Sequence, residues 1–499
     1  MKLSLVLLLV TPLLLSLTTM AQFVTPVMFN GTDGGNPVYG PLVQGLDGSY
    51  YGTTQFGGNY QCGIVDGCGT IFKVTRSGQL TMLYEFCEQS DCPDGANPWG
   101  GLLLATDGNF YGTTYLRGQN CPVSAGNACG TVFRMTPQGK LTTLYTFCQL
   151  SGCLDGASPT AALIQGTDGN FFGTTTAGGP SGCPSGCGTV FRITPNGILT
   201  TLYAFSSGFD GNYPVAPLVQ GLDGNFYGTT SQGGYSCEFG DLGCGIVFQL
   251  TPSGVETPLY YFCKQYFSCT DGGQPFGGLL LASDGNFYGT TGYEGAGTIF
   301  RITPTGSLTT LYNFCRQTNC ADGGSPTGTL IQGTDGALYG TTQVGGGTGC
   351  QSEGCGVVFR LSTSGFQVLH TFQGSDGENP ASGLTQSTEG YFVGSTYQGG
   401  GTGKCFFVGC GTLFGMSTGL GPFVTFVNSS APVGQRAGVL GQGFTRATSV
   451  VLNGVSANFQ IISDTALIFT VPQGSTTGYV TVTTPNGSLT SNVVFRVLQ

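Results

Sequence analysis

Three short strings recur seven times along this chain, always in the same order, and no other feature restricts the possible folds as much. D-G-x-x-P begins at Asp33, Asp94, Asp155, Asp210, Asp271, Asp322 and Asp376. D-G-x-[YF]-x-G-T-T follows around Asp47, Asp107, Asp168, Asp223, Asp284 and Asp335, with a worn copy around Glu389. [CA]-G-x-x-F-x-x-[TS] closes each copy at 68–75, 129–136, 187–194, 244–251, 296–303, 355–362 and 410–417. The first and last hairpin strings lie 342 residues apart, a mean period of 57 over six steps. A fixed period of this size marks repeated supersecondary units, which bury their apolar faces only against neighbours.

Each copy contains four strand-like runs. In the second copy they are 101–105, 109–114, 130–136 and 141–147, rich in Tyr, Phe, Val, Leu and Thr and bounded by turn residues. Asp107-Gly108 joins the first two as a two-residue hairpin, whose central positions both favour positive φ. Thr136-Pro137-Gln138-Gly139 turns the last two, with Pro early and Gly late. Four antiparallel strands per unit is the pattern of a propeller blade. The fourth run recurs at 80–86, 141–147, 199–205, 256–262, 308–314 and 366–372, six times for seven units. The seventh copy stands at 23–29 (FVTPVMF), ahead of the first unit. The expectation is an all-β chain whose residues 22–420 form a seven-bladed β-propeller, closed by an N-terminal strand that removes the open edge. An immunoglobulin-like β-sandwich is expected over 421–499, where the repeats stop, cysteine vanishes and short alternating strands continue.

Composition narrows the class. Glycine supplies 89 of the 499 residues, far above the roughly 7% of an average protein. Lys and Arg number 15 against 25 Asp and Glu, for a net charge of −10. So acidic and cation-poor a surface has no footprint for nucleic acid or an anionic membrane, and 12% aromatic residues argue against disorder. Residues 1–21 read as a signal peptide: Lys2, an apolar run over 3–17, then small residues at Thr19 and Ala21 before Gln22. The run is short for a bilayer span, and no membrane span is expected in the mature chain. Secretion to an oxidising space, extracellular or in the cell envelope, is expected, as the 20 cysteines require.

The repeat unit resembles the bacterial GloVer (Gloeo/Verruco) tandem repeat, on copies such as DGNFYGTT at 223–230 and GTVFRIT at 188–194. The tail resembles an IPT/TIG immunoglobulin-like domain at 441–444 (GQGF), 451–454 (VLNG), 471–472 (VP) and 478–486 (GYVTVTTPN). The repeat resemblance implies an envelope or secreted protein and brings no catalytic residues with it.

Every cysteine has a partner a few residues away. Six pairs lie between second and third strands: Cys62/Cys68, Cys121/Cys129, Cys183/Cys187, Cys237/Cys244, Cys350/Cys355 and Cys405/Cys410. Four lie between a fourth strand and the next unit: Cys87/Cys92, Cys148/Cys153, Cys263/Cys269 and Cys315/Cys320. The fifth unit lacks the first type altogether, and loss in pairs is what local disulfides predict. Zinc binding is the rival reading, but it needs four converging ligands; no metal or cofactor is expected. Alternate loops of an antiparallel blade share a face, so all ten bridges are expected on one face and the tight turns on the other. Stiff loops on a rigid scaffold are where binding sites usually sit. Protection of glycine-rich loops from proteases is the plainer alternative.

Most candidate chemistry has a structural explanation. The hairpin aspartates fit turn geometry, and the Thr pairs fit strand packing. The D-G-x-x-P aspartates fit either an Asx-turn or a ring of carboxylates at a channel mouth that attracts a cation. His370, the only histidine, stands where other copies have Tyr84, Tyr145, Tyr203 and Tyr312, and one histidine leaves no Ser-His-Asp set elsewhere. The loop acids Glu238, Asp241, Glu294, Glu353 and Glu378 could supply a carboxylate pair. The sharper candidates are aromatic: Phe56, Tyr60, Tyr115, Tyr235, Tyr293 and Tyr397 in second-to-third loops, and Trp99 after a D-G-x-x-P string. They are either recognition platforms or plugs between blades. The expected function is that of a non-enzymatic binding protein that recognises an extracellular glycan or envelope protein through its disulfide-stapled face. The alternatives are an extracellular carbohydrate-active hydrolase or lyase using loop carboxylates, and a structural envelope component.

Overall fold

The computed structural model describes residues 22–498 except 38–39, 63–66, 123–127, 181–182, 184, 207, 236–242, 265–268, 293–295, 351–352, 402–404 and 406–408. The expected leader at 1–21 lies outside the described residues. Among those residues the chain is all-β apart from single 3-10 turns such as Ser151–Cys153, and no helix is long and apolar enough to cross a membrane.

Seven antiparallel sheets follow one another along 22–417, one per copy of the repeat, in a propeller-like succession. In the fourth, Val219–Gln220, Phe226–Thr230, Ile246–Leu250 and Glu256–Tyr261 pair in chain order. The first strand of each is shorter than expected: Leu103–Leu104 replaces the run 101–105. The residues before it pack backbone to backbone instead. A Cβ on Gly101 would lie 2.9 Å from the Cα of Gly40, and one on Gly100 would lie 2.6 Å from the Ala161 carbonyl oxygen. The last sheet takes its outer strand from the other end of the repeats. Gln22–Met28 pairs antiparallel with Thr412–Ser417, Gln22 opposite Ser417 and Met28 opposite Thr412.

The D-G-x-x-P string joins each sheet to the one before. Its fourth residue has φ between 49° and 56° in all seven copies, at Asn36, Asn97, Ser158, Tyr213, Gln274, Ser325 and Asn379. That left-handed conformation is uncommon outside glycine. It directs the backbone N–H to the preceding unit, where Asn97 donates to the Cys68 carbonyl at 2.8 Å and Asn36 to the Cys410 carbonyl at 2.7 Å. The proline that follows lies on the glycine of the preceding Cys-Gly: a Cβ on Gly69 would sit 2.5 Å from Pro98 Cδ, and one on Gly411 2.7 Å from Pro37 Cδ. The same latch therefore ties the last sheet to the first. The hydroxyls of Tyr50 and Tyr391 meet across that junction at 2.9 Å. A glutamine in the first strand adds a second tie: Gln44 Oε1 accepts from Thr388 N–H, Gln165 from Thr106 and Gln220 from Thr167.

The Thr pairs are consumed by packing. The first threonine reaches the next unit, as when Thr113 Oγ1 donates to the Ala161 carbonyl at 3.1 Å. The second bonds within its own sheet, with Thr114 and Thr131 hydroxyls 2.8 Å apart.

Residues 425–490 form two further four-stranded sheets that share one core, and Ser430–Pro432 pairs in parallel with Arg496–Leu498. Val439, Leu467 and Phe469 come from one sheet, Val450, Leu452, Val480 and Val482 from the other, with Phe444 and Phe495 between them. This module rests on the hairpin turns of the repeats. Ser463 Oγ and Thr465 Oγ1 donate to the Leu46 carbonyl at 2.6 and 2.7 Å, and Arg496 donates to the carbonyls of Gly221 and Leu222 at 3.2 and 2.7 Å. Thr388 Oγ1 donates to the Gly441 carbonyl. Leu46 and Leu222 are the two repeats' leucines at a turn position where the other five carry Thr106, Thr167, Ser283, Thr334 and Thr388.

Candidate functional site

The repeated acids are used by the fold. Each hairpin aspartate accepts the N–H two residues on and, in most copies, the hydroxyl of the tyrosine four residues on; Asp107 bonds Asn109 N at 3.0 Å and Tyr111 Oη at 2.9 Å. The D-G-x-x-P aspartates close the loop after the outermost strand. Asp155 accepts from Tyr145 Oη, Gln149 N and Leu150 N, and Asp322 accepts from Tyr312 Oη, Arg316 N and Gln317 N. These carboxylates accept from outer-strand tyrosines and from amides five and six residues before them; they close the preceding loop, and this is not the expected Asx-turn, whose amide lies two residues on. His370 takes the tyrosine's part, with Nε2 2.8 Å from Asp376 Oδ2, and stacks on Phe23 of the N-terminal strand at 3.6 Å.

Nine disulfides are formed among the described residues: Cys62–Cys68, Cys87–Cys92, Cys121–Cys129, Cys148–Cys153, Cys183–Cys187, Cys263–Cys269, Cys315–Cys320, Cys350–Cys355 and Cys405–Cys410. Cys244 is disulfide-bonded as well, while Cys237 lies outside the described residues. The two loop types come together: the sulfurs of Cys62, Cys68, Cys87 and Cys92 lie within 4.8 Å of one another, as do those of Cys244, Cys263 and Cys269. Bridges from both loops thus share one face.

On that face the structure brings three of the seven aromatic candidates into one arc. Trp99 and Tyr115 meet edge to face at 4.8 Å. Across the neighbouring junctions, Tyr397 Oη donates to Gln55 Oε1 at 3.1 Å, and Asn97 Nδ2 donates to the Gln55 carbonyl at 2.9 Å. Trp99, Tyr115 and Tyr397 are all half-buried, each held by its neighbours. The remaining candidates stand apart. Phe56 ends the strand Tyr50–Phe56 and is half-buried. Tyr60 packs against the cluster containing Cys62 and Cys87, with its N–H on Glu85. Tyr235 joins exposed Phe209 and Tyr261 in edge-to-face contacts at 5.7 and 5.5 Å. Tyr293 lies outside the described residues, as do Glu238, Asp241 and Glu294.

One further acid lies outside the repeated motifs and the loops. Glu256 occupies the outer-strand position that Leu80, Leu141, Leu199 and Leu308 fill elsewhere, a departure visible only once the copies are aligned residue by residue. Its Oε1 is buried and has no hydrogen-bond partner. Burial, and next the Asp210 carboxylate, push its carboxyl up to about 7. The folded state therefore holds this proton more tightly than the unfolded chain does. Its contribution to stability is full below about pH 4.5 and is lost as the pH rises through about 7. With solvent screening of a half-buried group, the loss is about 1 kcal/mol. Glu256→Gln is expected to be more stable than the native chain in urea at pH 8 and equal to it at pH 4. An equal gain at both pH values would assign the effect to packing.

A family model described as the Gloeobacter/Verrucomicrobia repeat matches residues 13–240 and 237–458. No curated protein matches the chain. Among solved structures, a fungal alcohol oxidase of the AA5 family in complex with copper is similar at 12% identity and a TM-score of 0.48, over 93% of this chain and 100% of that one. The extracellular domain of a hybrid two-component system from B. thetaiotaomicron is similar at 12% identity and a TM-score of 0.48, over 94% of this chain and 57% of that one.

Proposed function

Since the chain belongs to the Gloeobacter/Verrucomicrobia repeat family, we propose that it is a secreted or envelope-located binding protein: a closed seven-bladed propeller over residues 22–420 that recognises extracellular polysaccharide through its disulfide-bearing loop face. An immunoglobulin-like, IPT/TIG-type module over 421–499 acts as its spacer or docking piece. The bridges support the location, because they persist in oxidising compartments. The observation that carries the binding reading is the arc of Trp99, Tyr115 and Tyr397 with Gln55. Ring faces give apolar area for sugar C–H groups at little conformational cost, and neighbouring amide and hydroxyl groups orient the sugar's own hydroxyls. The tail's described hydrogen bonds to the repeats go to the hairpin turns, which leaves the loop face to a ligand.

The chain supplies its own reporter, because Trp99 is its only tryptophan. Titration with soluble neutral polysaccharides is expected to shift or quench the Trp99 emission saturably. Tyr115→Ala is expected to weaken the response at least tenfold, about 1.4 kcal/mol. Unchanged emission across such a panel, with a response to purified envelope proteins instead, would replace the glycan reading by a protein partner.

A further inference from the structure

A cavity of about 850 Å³ lies between the hairpin face of the repeats and the C-terminal module, on the side away from the disulfides. Small-molecule sites favour such boundaries between two packed units, and this volume is within their usual range. Its walls come from both sides. Leu103, Ile164 and Leu222 line it from the repeats; Tyr479 and Val494 line it from the module. Leu222, Tyr479 and Val494 are 55%, 50% and 38% exposed, so docking brings the two units together without covering these apolar groups. Leu222 is also one of the two turn leucines beside which the module docks, and its carbonyl, not its side chain, makes the hydrogen bond to Arg496.

The cavity's charge is the opposite of the chain's. In a protein with net charge −10, Arg436 and Arg496 both line it. Their hydrogen-bond partners are neutral oxygens: Gln460 Oε1 for Arg436, and the carbonyls of Gly221 and Leu222 for Arg496. Among the described residues the ion pairs are Lys73–Asp47, Arg76–Glu389, Arg360–Asp335 and His370–Asp376, none of which involves either arginine. The acid on the opposite wall, Asp168, is bonded to the backbone and side-chain amides of Asn170. Two guanidinium groups beside an apolar hollow match a ligand with a hydrocarbon body and one acidic head.

We propose that this cavity binds an anionic amphiphile of the long-chain carboxylate class, its chain against Leu222, Tyr479 and Val494 and its head at Arg436. The site is separate from the loop face, and neither depends on the other.

The test uses the full mature chain and the fluorescent fatty acid cis-parinarate. Saturable binding of one molecule per chain is expected, with at least tenfold weaker binding of the uncharged methyl ester. Arg436→Gln is expected to remove that preference for the acid. Leu222→Asp and Val494→Asp, one on each wall and both at exposed side chains, are each expected to weaken parinarate binding at least tenfold, while Trp99→Ala leaves it unchanged. Non-saturable binding, equal affinity for acid and ester, or native affinity in both aspartate variants overturns the proposal. A polysaccharide response at Trp99 is read separately and survives either result.

Discussion

A chain beginning at Asn30, without the strand Gln22–Met28 and Phe29, is expected to be less stable by about 5 kcal/mol or more. Val27 and Phe29 are 6% and 3% exposed, and burying two such side chains is worth about 2–3 kcal/mol each. The strand also carries Phe23, which packs on Phe414 at 5.4 Å and stacks on His370. Its loss leaves Thr412–Ser417 as an open edge in the last sheet, an aggregation-prone template. Against a domain's total of roughly 5–15 kcal/mol, such a change approaches global unfolding. Guanidinium denaturation of the two chains measures the difference, and a peptide of residues 22–30 added in trans is expected to restore part of it. If the shortened chain unfolds at the native midpoint with the native slope, the N-terminal strand is an accessory and closure rests on the latches alone.

The second large effect is expected within a single sheet. Gly228, the glycine of the fourth G-T-T, would place a Cβ 2.6 Å from Phe248 Cζ and 2.8 Å from Leu218 Cδ2. Both neighbours are buried, Phe248 fully, so neither can swing into solvent. Gly228→Ala should therefore destabilise by about 3 kcal/mol, at the upper end for overpacking by one methyl. Phe248→Ala alone should cost about 3–5 kcal/mol through the cavity it leaves. In the double variant the new methyl enters that cavity, so the combined loss should be smaller than the sum of the two by more than 1 kcal/mol. Additive losses in urea denaturation would mean that the clash is relieved elsewhere, by movement of the strand. The same contact recurs at Gly112 with Phe133 and at Gly340 with Phe359, which explains why one motif requires glycine and the next requires phenylalanine.

Much of the scaffold was readable because a repeat makes seven independent statements of the same rule. Local pairing of cysteines, Asp-Gly hairpins and the displaced copy at 23–29 all follow from short-range pattern, and the strand Gln22–Met28 pairs where that copy implies. The first strand is shorter than its sequence pattern implies, since Gly101 looks like a strand residue until the neighbouring unit's backbone is seen against it. The aromatic candidates were identified by type but not by grouping. Trp99 and Tyr115 lie 16 positions apart and meet, whereas Tyr60, nearer Trp99 than Tyr397 is in sequence, packs elsewhere. Glu256 is not legible in the sequence because one acid in place of leucine is a small perturbation of a repeat, and its consequence depends on burial.

Sequence alone determined the all-β class, the 57-residue unit, the local disulfide pairs and the change of character near residue 421, because each is encoded by residues close in the chain. Tertiary structure decided the left-handed latch of D-G-x-x-P onto the preceding unit, the glutamine ties, and the seating of the C-terminal module at Leu46 and Leu222. It also decided which aromatic rings share an arc and which arginines share a cavity. These depend on where distant backbone segments come to rest, and a carbonyl such as that of Cys68, which receives the Asn97 N–H, has no side-chain signature in a sequence.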